Sequence, residues 1–230
     1  MDGTPMERLC AHRGVAVPAL TTAAVAELAP VLGMHPADLL AVGCVEIPGG
    51  YLPVDGGADA QRELGRIRRA TWDADGAELD ALGRFAREVD GGRPRPDRPS
   101  MPAADRGTVG EVIRRLMRVR NTPRAWVARE AQLAESTIGR LMRDGIDGNP
   151  AAAVATRFML RVADAFGLPH GDFLAIAGRA DEVTAAMREQ DRTRPPSPLA
   201  ALLRDLAPLS LDDLRRVAAR AEAAQTARRL

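Results

Sequence analysis

The segment AELAPVLGMHPADLLAVG, residues 26–43, returns at residues 160–177 as LRVADAFGLPHGDFLAIA. At an offset of 134 residues, Ala29, Gly33, Asp38, Leu40 and Ala41 match Ala163, Gly167, Asp172, Leu174 and Ala175. Upstream, ERLCAHRG (7–14) sets against GRLMRDG (139–145), and downstream LDALGRFA (79–86) falls on LDDLRRVA (211–218) at an offset of 132. Three blocks in one order at nearly one offset point to an internal duplication, so the chain has to fold as two related helical units. The second unit carries GEVIRRLMRVRNTPRAWVAREAQLAEST (110–137) ahead of its first matching block. On this alignment the first unit begins at its counterpart of GRLMRDG and lacks the two helices before it.

The fold class follows from what the core can be made of. Aromatic residues are 3% of the chain against 46% apolar residues in all, and a core of Ala, Leu and Val suits packed helices better than sheets. The expectation is all-α. GGRPRPDRPSMPAADRG (91–107) concentrates proline without an apolar period and reads as a linker, and RTRPPSP (192–198) is a shorter break of the same kind. Residues 1–90 then form a degenerate helical repeat, 108–180 a helical domain, and 181–230 a helical tail.

Charge is unevenly spread. All 32 basic residues are Arg and the net charge is +1, yet residues 1–90 hold 8 Arg against 14 acidic residues, while residues 110–143 hold 8 Arg against 3. The compact basic stretch attracts nucleic acid and the first third repels it. Arg suits phosphate and guanine because its planar fork donates two parallel hydrogen bonds.

That basic stretch reads as a helix-turn-helix. Val109, Val112, Ile113, Leu116 and Val119 keep the spacing of an amphipathic helix. Thr122 followed by Pro123 is a start signal for a second helix, RAWVAREA; QLAE makes the turn, and STIGRLMRD is a third helix closed by Gly145. AREAQLAESTI (128–138) resembles the signature of the Xre type of regulators, the group that includes lambda repressor and Cro. NPAAAVATRFMLRVADAFGLPHGDFL is similar to the family's fourth and fifth helices, so the resemblance covers about residues 108–178. In place of the family's turn glycine stands Gln132, which must then adopt a left-handed backbone at a cost on the order of 1 kcal/mol. Ala134 stands where the family has a serine cap.

The resemblance implies a five-helix domain whose third helix lies in the major groove of double-stranded DNA. Ile138, Leu141 and Met142 would face inward, leaving Glu135, Ser136, Gly139, Arg140 and Arg143 outward to read base edges. Arg124 matches the family's phosphate-contacting position. Arg118 and Arg120, with Arg114 and Arg115, would add phosphate attraction. Trp126, at an apolar helical position, is expected in the core.

The tail SPLAALLRDLAPLSLDDLRRVAARAEAAQTARRL (197–230) reads as two helices, the second begun by Ser210 with Asp212 and Asp213. A hairpin this small must bury its apolar stripe on the domain or on another chain. It resembles the tails through which many actinobacterial Xre-type regulators dimerise, so the resemblance implies a homodimer. RADEVTAAMREQD (179–191) reads as a solvated charged helix.

No catalytic constellation is present in the sequence. His12, His35 and His170 are scattered, and Cys10 and Cys44 are far apart without metal-ligand spacing, so neither enzyme chemistry nor a cofactor or metal is expected. His35 and His170 lie in matching loops and read as helix-start residues. No apolar run reaches the roughly 18 residues that cross a bilayer, so the expectation is a cytoplasmic, nucleoid-associated protein. The leading functional expectation is a sequence-specific DNA-binding transcriptional regulator acting as a dimer. The alternative is a protein-interaction regulator whose acidic residues 1–90 dock a sigma factor, a toxin or a sister regulator.

Overall fold

The computed structural model describes residues 3–54, 56–92, 98–105, 107–144, 156–193 and 198–229. Among them the chain forms thirteen α-helices and no strand. These are α1 (Pro5–Arg13), α2 (Thr22–Leu32), α3 (Pro36–Val42), α4 (Ala58–Ala70), α5 (Gly76–Asp90), α6 (Val109–Val119) and α7 (Arg124–Glu130). Then follow α8 (Glu135–Asp144), α9 (Thr156–Ala165), α10 (His170–Ile176), α11 (Ala185–Thr193), α12 (Pro198–Leu206) and α13 (Leu211–Arg228). None of them is long and apolar enough to cross a membrane.

Local chemistry sets many of the boundaries. Thr4 and Glu7 close a reciprocal capping box on α1, with Pro5 at its first position, and Asp75 with Glu78 does the same for α5. Thr108 caps α6 and Ser210 caps α13, the latter as its sequence predicts. His35 Nδ1 accepts the Ala37 N–H at 3.2 Å, which is the helix-start role expected of it. Gly33 and Gly167, matched residues of the repeated segment, both take left-handed backbone just past α2 and α9.

Two cores divide the helices, and the packing is crossed between the halves. The larger core gathers α1–α3 with α6–α10; the smaller gathers α4 and α5 with α12 and α13. Within the larger core α1 lies on α10 and α6 lies on α3. Within the smaller, α4 lies on α13 and α5 on α12. The C-terminal hairpin therefore covers its apolar stripe inside its own chain, with Leu202, Leu206, Leu214 and Val217 buried against Leu64, Ile67 and Leu82. Arg66 fastens this bundle, reaching Glu63 on its own helix and Glu222 on α13 at 2.6 Å.

Matched ion pairs lock the crossing. Arg13, at the end of α1, makes a two-pronged bond to Asp172 of α10 at 2.6 and 2.7 Å. Arg120, just past α6, does the same to Asp38 of α3 at 3.0 and 2.8 Å. One turn and a half earlier, Arg8 caps the Ile176 carbonyl after α10, and Arg115 caps the Val45 carbonyl after α3. Both helices then close on a left-handed residue, Gly14 (φ 66) or Asn121 (φ 48).

The contacts of α1 thus parallel those of α6, whereas the sequence alignment set ERLCAHRG against the third helix of the helix-turn-helix. The offset is 107 residues for α1 with α6 and 134 for α2–α3 with α9–α10. The difference falls between the first and second matched helices, where one half has α7 and α8 and the other has only residues 14–21. Part of the 91–107 linker is also structured: Met101 pairs with Ile47 in an antiparallel bridge, and Ala104 donates to the Cys44 carbonyl at 2.9 Å. The expected closure at Gly145, the start of the fourth helix near Asn149 and most of the 192–198 break lie outside the described residues.

Burial raises the Asp38 carboxyl, but Arg120, then Arg204 and His35, outweigh it and hold it below the ordinary carboxylate range. Burial lowers the His12 imidazole, only partly offset by Asp172. Both groups bind fewer protons folded than unfolded, so their stabilisation is lost as pH falls, for His12 below about 6.5 and for Asp38 below about 4. Urea melts from pH 7 to pH 3 should show a steady loss of stability, and Asp38→Asn should flatten its lower part. At pH 7, Asp38→Ala should cost about 3–5 kcal/mol by leaving Arg120 unpaired in the core. Asp172→Ala should cost less, because Arg13 remains 36% exposed and can hydrate.

Candidate nucleic-acid interface

The basic stretch folds into α6, α7 and α8, in the order the helix-turn-helix reading expects. Val112, Ile113 and Leu116 of α6, Trp126 and Val127 of α7, and Ile138 and Leu141 of α8 are all buried in the larger core, with Met142 half-buried against it. Gly110 permits the closest approach: a Cβ there would stand 2.7 Å from the carbonyls of Leu141 and Met142. Arg114, paired with Glu111 at 2.7 Å, also donates to the Met142 carbonyl, so it positions the end of α8.

The turn has the backbone that its sequence implies. Gln132 adopts φ 51, and Leu133 N–H reaches back to the Ala128 carbonyl at 2.8 Å. α8 begins at Glu135, with Ala134 supplying only its carbonyl to Thr137 and Ile138 N–H. α7 begins at Arg124, the first residue of the expected RAWVAREA helix, but not with Thr122 as its cap. Pro123 is its cap residue, because the Thr122 hydroxyl is turned inward and donates to the Arg120 carbonyl at 3.0 Å.

Of the residues expected to meet DNA, Ser136, Arg140 and Arg143 are exposed on α8. Arg124 and Glu135 are each about half exposed and pair with one another at 2.8 Å, joining the first turns of α7 and α8. Gly139 is buried, a correction to its expected contact with bases. It forms a shelf whose missing Cβ would lie 3.3 Å from Arg124 Nη1 and 3.6 Å from Arg143 Nη1. The outer face of α8 is therefore roofed by guanidinium groups over a glycine.

Arg118 is exposed, but on the outward face of α6, where it borders a cleft. Arg120 is 1% exposed and cannot reach phosphate. It is spent on Asp38, on the Phe166 carbonyl and over the Phe166 ring at 5.5 Å. Arg115 is buried likewise, donating to the Pro102 and Val45 carbonyls. Their acidic and carbonyl partners lie 13 to 82 residues away, so counting charges near them could not reveal the pairing.

The bundle holds the α7–α8 pair through α7, which no local motif announces. Arg68 of α4 stacks over Trp126 at 4.7 Å and donates to the Asn121 carbonyl at 3.2 Å. Burial, reinforced by Arg129, pushes its guanidinium down to about 10. Trp72, 63% exposed at the α4–α5 turn, lies beneath Arg129 of α7 at 5.3 Å.

Among the described residues no cluster of three His, Cys, Asp or Glu is placed to hold a metal. Cys10 and Cys44 are buried free thiols, and burial pushes Cys44 up to about 11. Asp191, in the charged 179–191 segment, accepts the His170 and Gly171 N–H groups at the start of α10. No protein-family model, curated protein or solved structure matches this chain.

Thermal and urea melts should separate the structural arginines from the exposed ones. Arg68→Ala should lose about 1–3 kcal/mol through its hydrogen bonds and its ring contact. Glu135→Gln, which breaks a half-exposed pair, should change stability by less than about 1 kcal/mol.

Proposed function

We propose that this chain is a sequence-specific DNA-binding regulator with a single reading helix, α8. The observation that carries the proposal is the α7–α8 pair, whose inner face is buried while Ser136, Arg140 and Arg143 stand outward beside Arg124 and Glu135. A helix of this kind in the major groove reads guanine through Arg and cytosine through Glu. Arg124, at the positive end of α7, meets phosphate and releases Glu135 to the bases. No catalytic or cofactor role is part of this reading.

The sequence expectation of a homodimer through the C-terminal hairpin gives way here to a single-headed chain. The hairpin's apolar stripe is covered by α4 and α5, and the first half packs on the second as a partner subunit would. The first half contributes no second reader, since only residues 14–21 join α1 to α2. One chain then occupies one asymmetric half-site rather than a palindrome.

A second reading keeps the first half as a docking surface. Among the described residues, Val17, Leu20 and Val31 are three of the four exposed large apolar side chains, and two of them lie in the short join between α1 and α2. That surface would meet a protein partner of the kinds expected above, a sigma factor, a toxin or a sister regulator.

Selection of bound fragments from genomic DNA should yield a non-palindromic sequence, and sedimentation of the complex should give one chain per site. Arg140→Ala with Arg143→Ala should weaken the specific complex by at least about tenfold with an unchanged melt. Arg124→Ala should lower the salt dependence by about one unit with little effect on sequence preference. Binding to the selected DNA no tighter than to random DNA at physiological salt would sink the proposal.

A further inference from the structure

The outward face of α6 opens onto a cleft of about 690 Å³ that lies between the two halves. It is lined by Leu52, Pro53 and Gly56 from the stretch between α3 and α4, by Pro99, and by Met117 of α6. The charge in it is one-sided. Arg98, Arg114 and Arg118 border the cleft, and no carboxylate does among the described lining residues. Arg98 is tied to the Pro53 and Val54 carbonyls, and Arg114 is tied to Glu111 and Met142. Arg118 is exposed with its guanidinium fork unengaged among the described residues.

A volume of this size takes a small organic molecule, and an apolar lining with a fork unengaged among the described residues selects its chemistry. We infer that the cleft binds a small organic anion, carboxylate or sulfonate or phosphate, whose apolar body lies on Met117, Leu52 and Pro99 and whose charge meets Arg118. The far end of the cleft is the turn from α6 into α7. There Gln61 of α4 donates from Nε2 to the carbonyl and side chain of Asn121, and Thr122 and Pro123 lead directly into α7. An occupant that competes with Gln61 for this turn shifts the α7 start and with it α8. That regulatory use rests on the DNA-binding reading; the binding site does not.

The test uses the full chain and 8-anilinonaphthalene-1-sulfonate as the probe, without DNA. Fluorescence and calorimetric titration should give saturable binding at one probe per chain, displaced by decanoate and not by decanol. Arg118→Gln should weaken binding about tenfold, the loss of one charge-assisted contact. Gly56→Leu, where open space surrounds the added Cβ and the backbone is not left-handed, should abolish binding by filling the cleft. Arg140→Gln should bind as wild type, and melts of each variant report that it folds. Absence of saturable binding, or binding indifferent to both cleft variants, overturns the site. Displacement of the probe by random-sequence DNA as readily as by decanoate also overturns it, because Arg118 would then belong to the DNA surface. Probe binding that persists in a protein with no DNA preference leaves the site standing and fails only the reading it would regulate.

Discussion

A guanidinium and a carboxylate, both shut away from water, hold the halves of this protein in register. Neither Arg120 nor Asp38 could stay in an apolar core alone, since a lone buried charge costs several kcal/mol even after relaxation. Together, in two-pronged geometry, and with Arg120 also donating to the Phe166 carbonyl, they satisfy each other. The pair joins the end of α6 to α3, and its twin, Arg13 with Asp172, joins the end of α1 to α10. Each half thus supplies a cation that the other half's anion requires. A slip of either helix by a turn would strand a charge, so the crossing is specified more sharply than apolar contacts alone would manage.

From that crossing the rest of the architecture follows. With α1 on α10 and α6 on α3, the hairpins α4–α5 and α12–α13 meet with their apolar stripes facing. The result is a four-helix bundle closed within one chain. The bundle then reaches back through Arg68 and Trp72 to hold α7. The exposed helix of the basic stretch is therefore carried on a scaffold made from both halves, and the cleft along α6 is the seam between them.

Much of the helical content and the location of the basic stretch was legible because those signals are local. The i, i+3, i+4 spacing of α6, the capping Ser210 and the left-handed Gln132 depend on neighbours within a few residues. The arginines were legible only as a set. Arg118 and Arg120 read alike in sequence, two residues apart where α6 ends, yet one faces solvent and the other lies in the core. A difference of two residues on a helix is about 200° of rotation, and which side is inside depends on what packs there. Gly139 misled for a related reason: on an outward face a glycine reads as a close approach to DNA, and here arginines from two helices close over it.

The alignment of α1 shows the same limit. Arg-Leu recurs in the second half in α6 and in GRLMRDG, and sequence matching preferred GRLMRDG, which also ends in Gly and keeps nearly a single offset. The ion pairs decided otherwise, because Arg8 and Arg13 do for α10 what Arg115 and Arg120 do for α3. By itself the sequence determined an all-helical chain and the compact basic segment, both properties of periodicity, capping and composition. Only the tertiary structure decided which half partners which, which arginines face water, and that the C-terminal hairpin is covered within the chain. Those depend on contacts across 80 to 170 residues, where no local pattern carries the information.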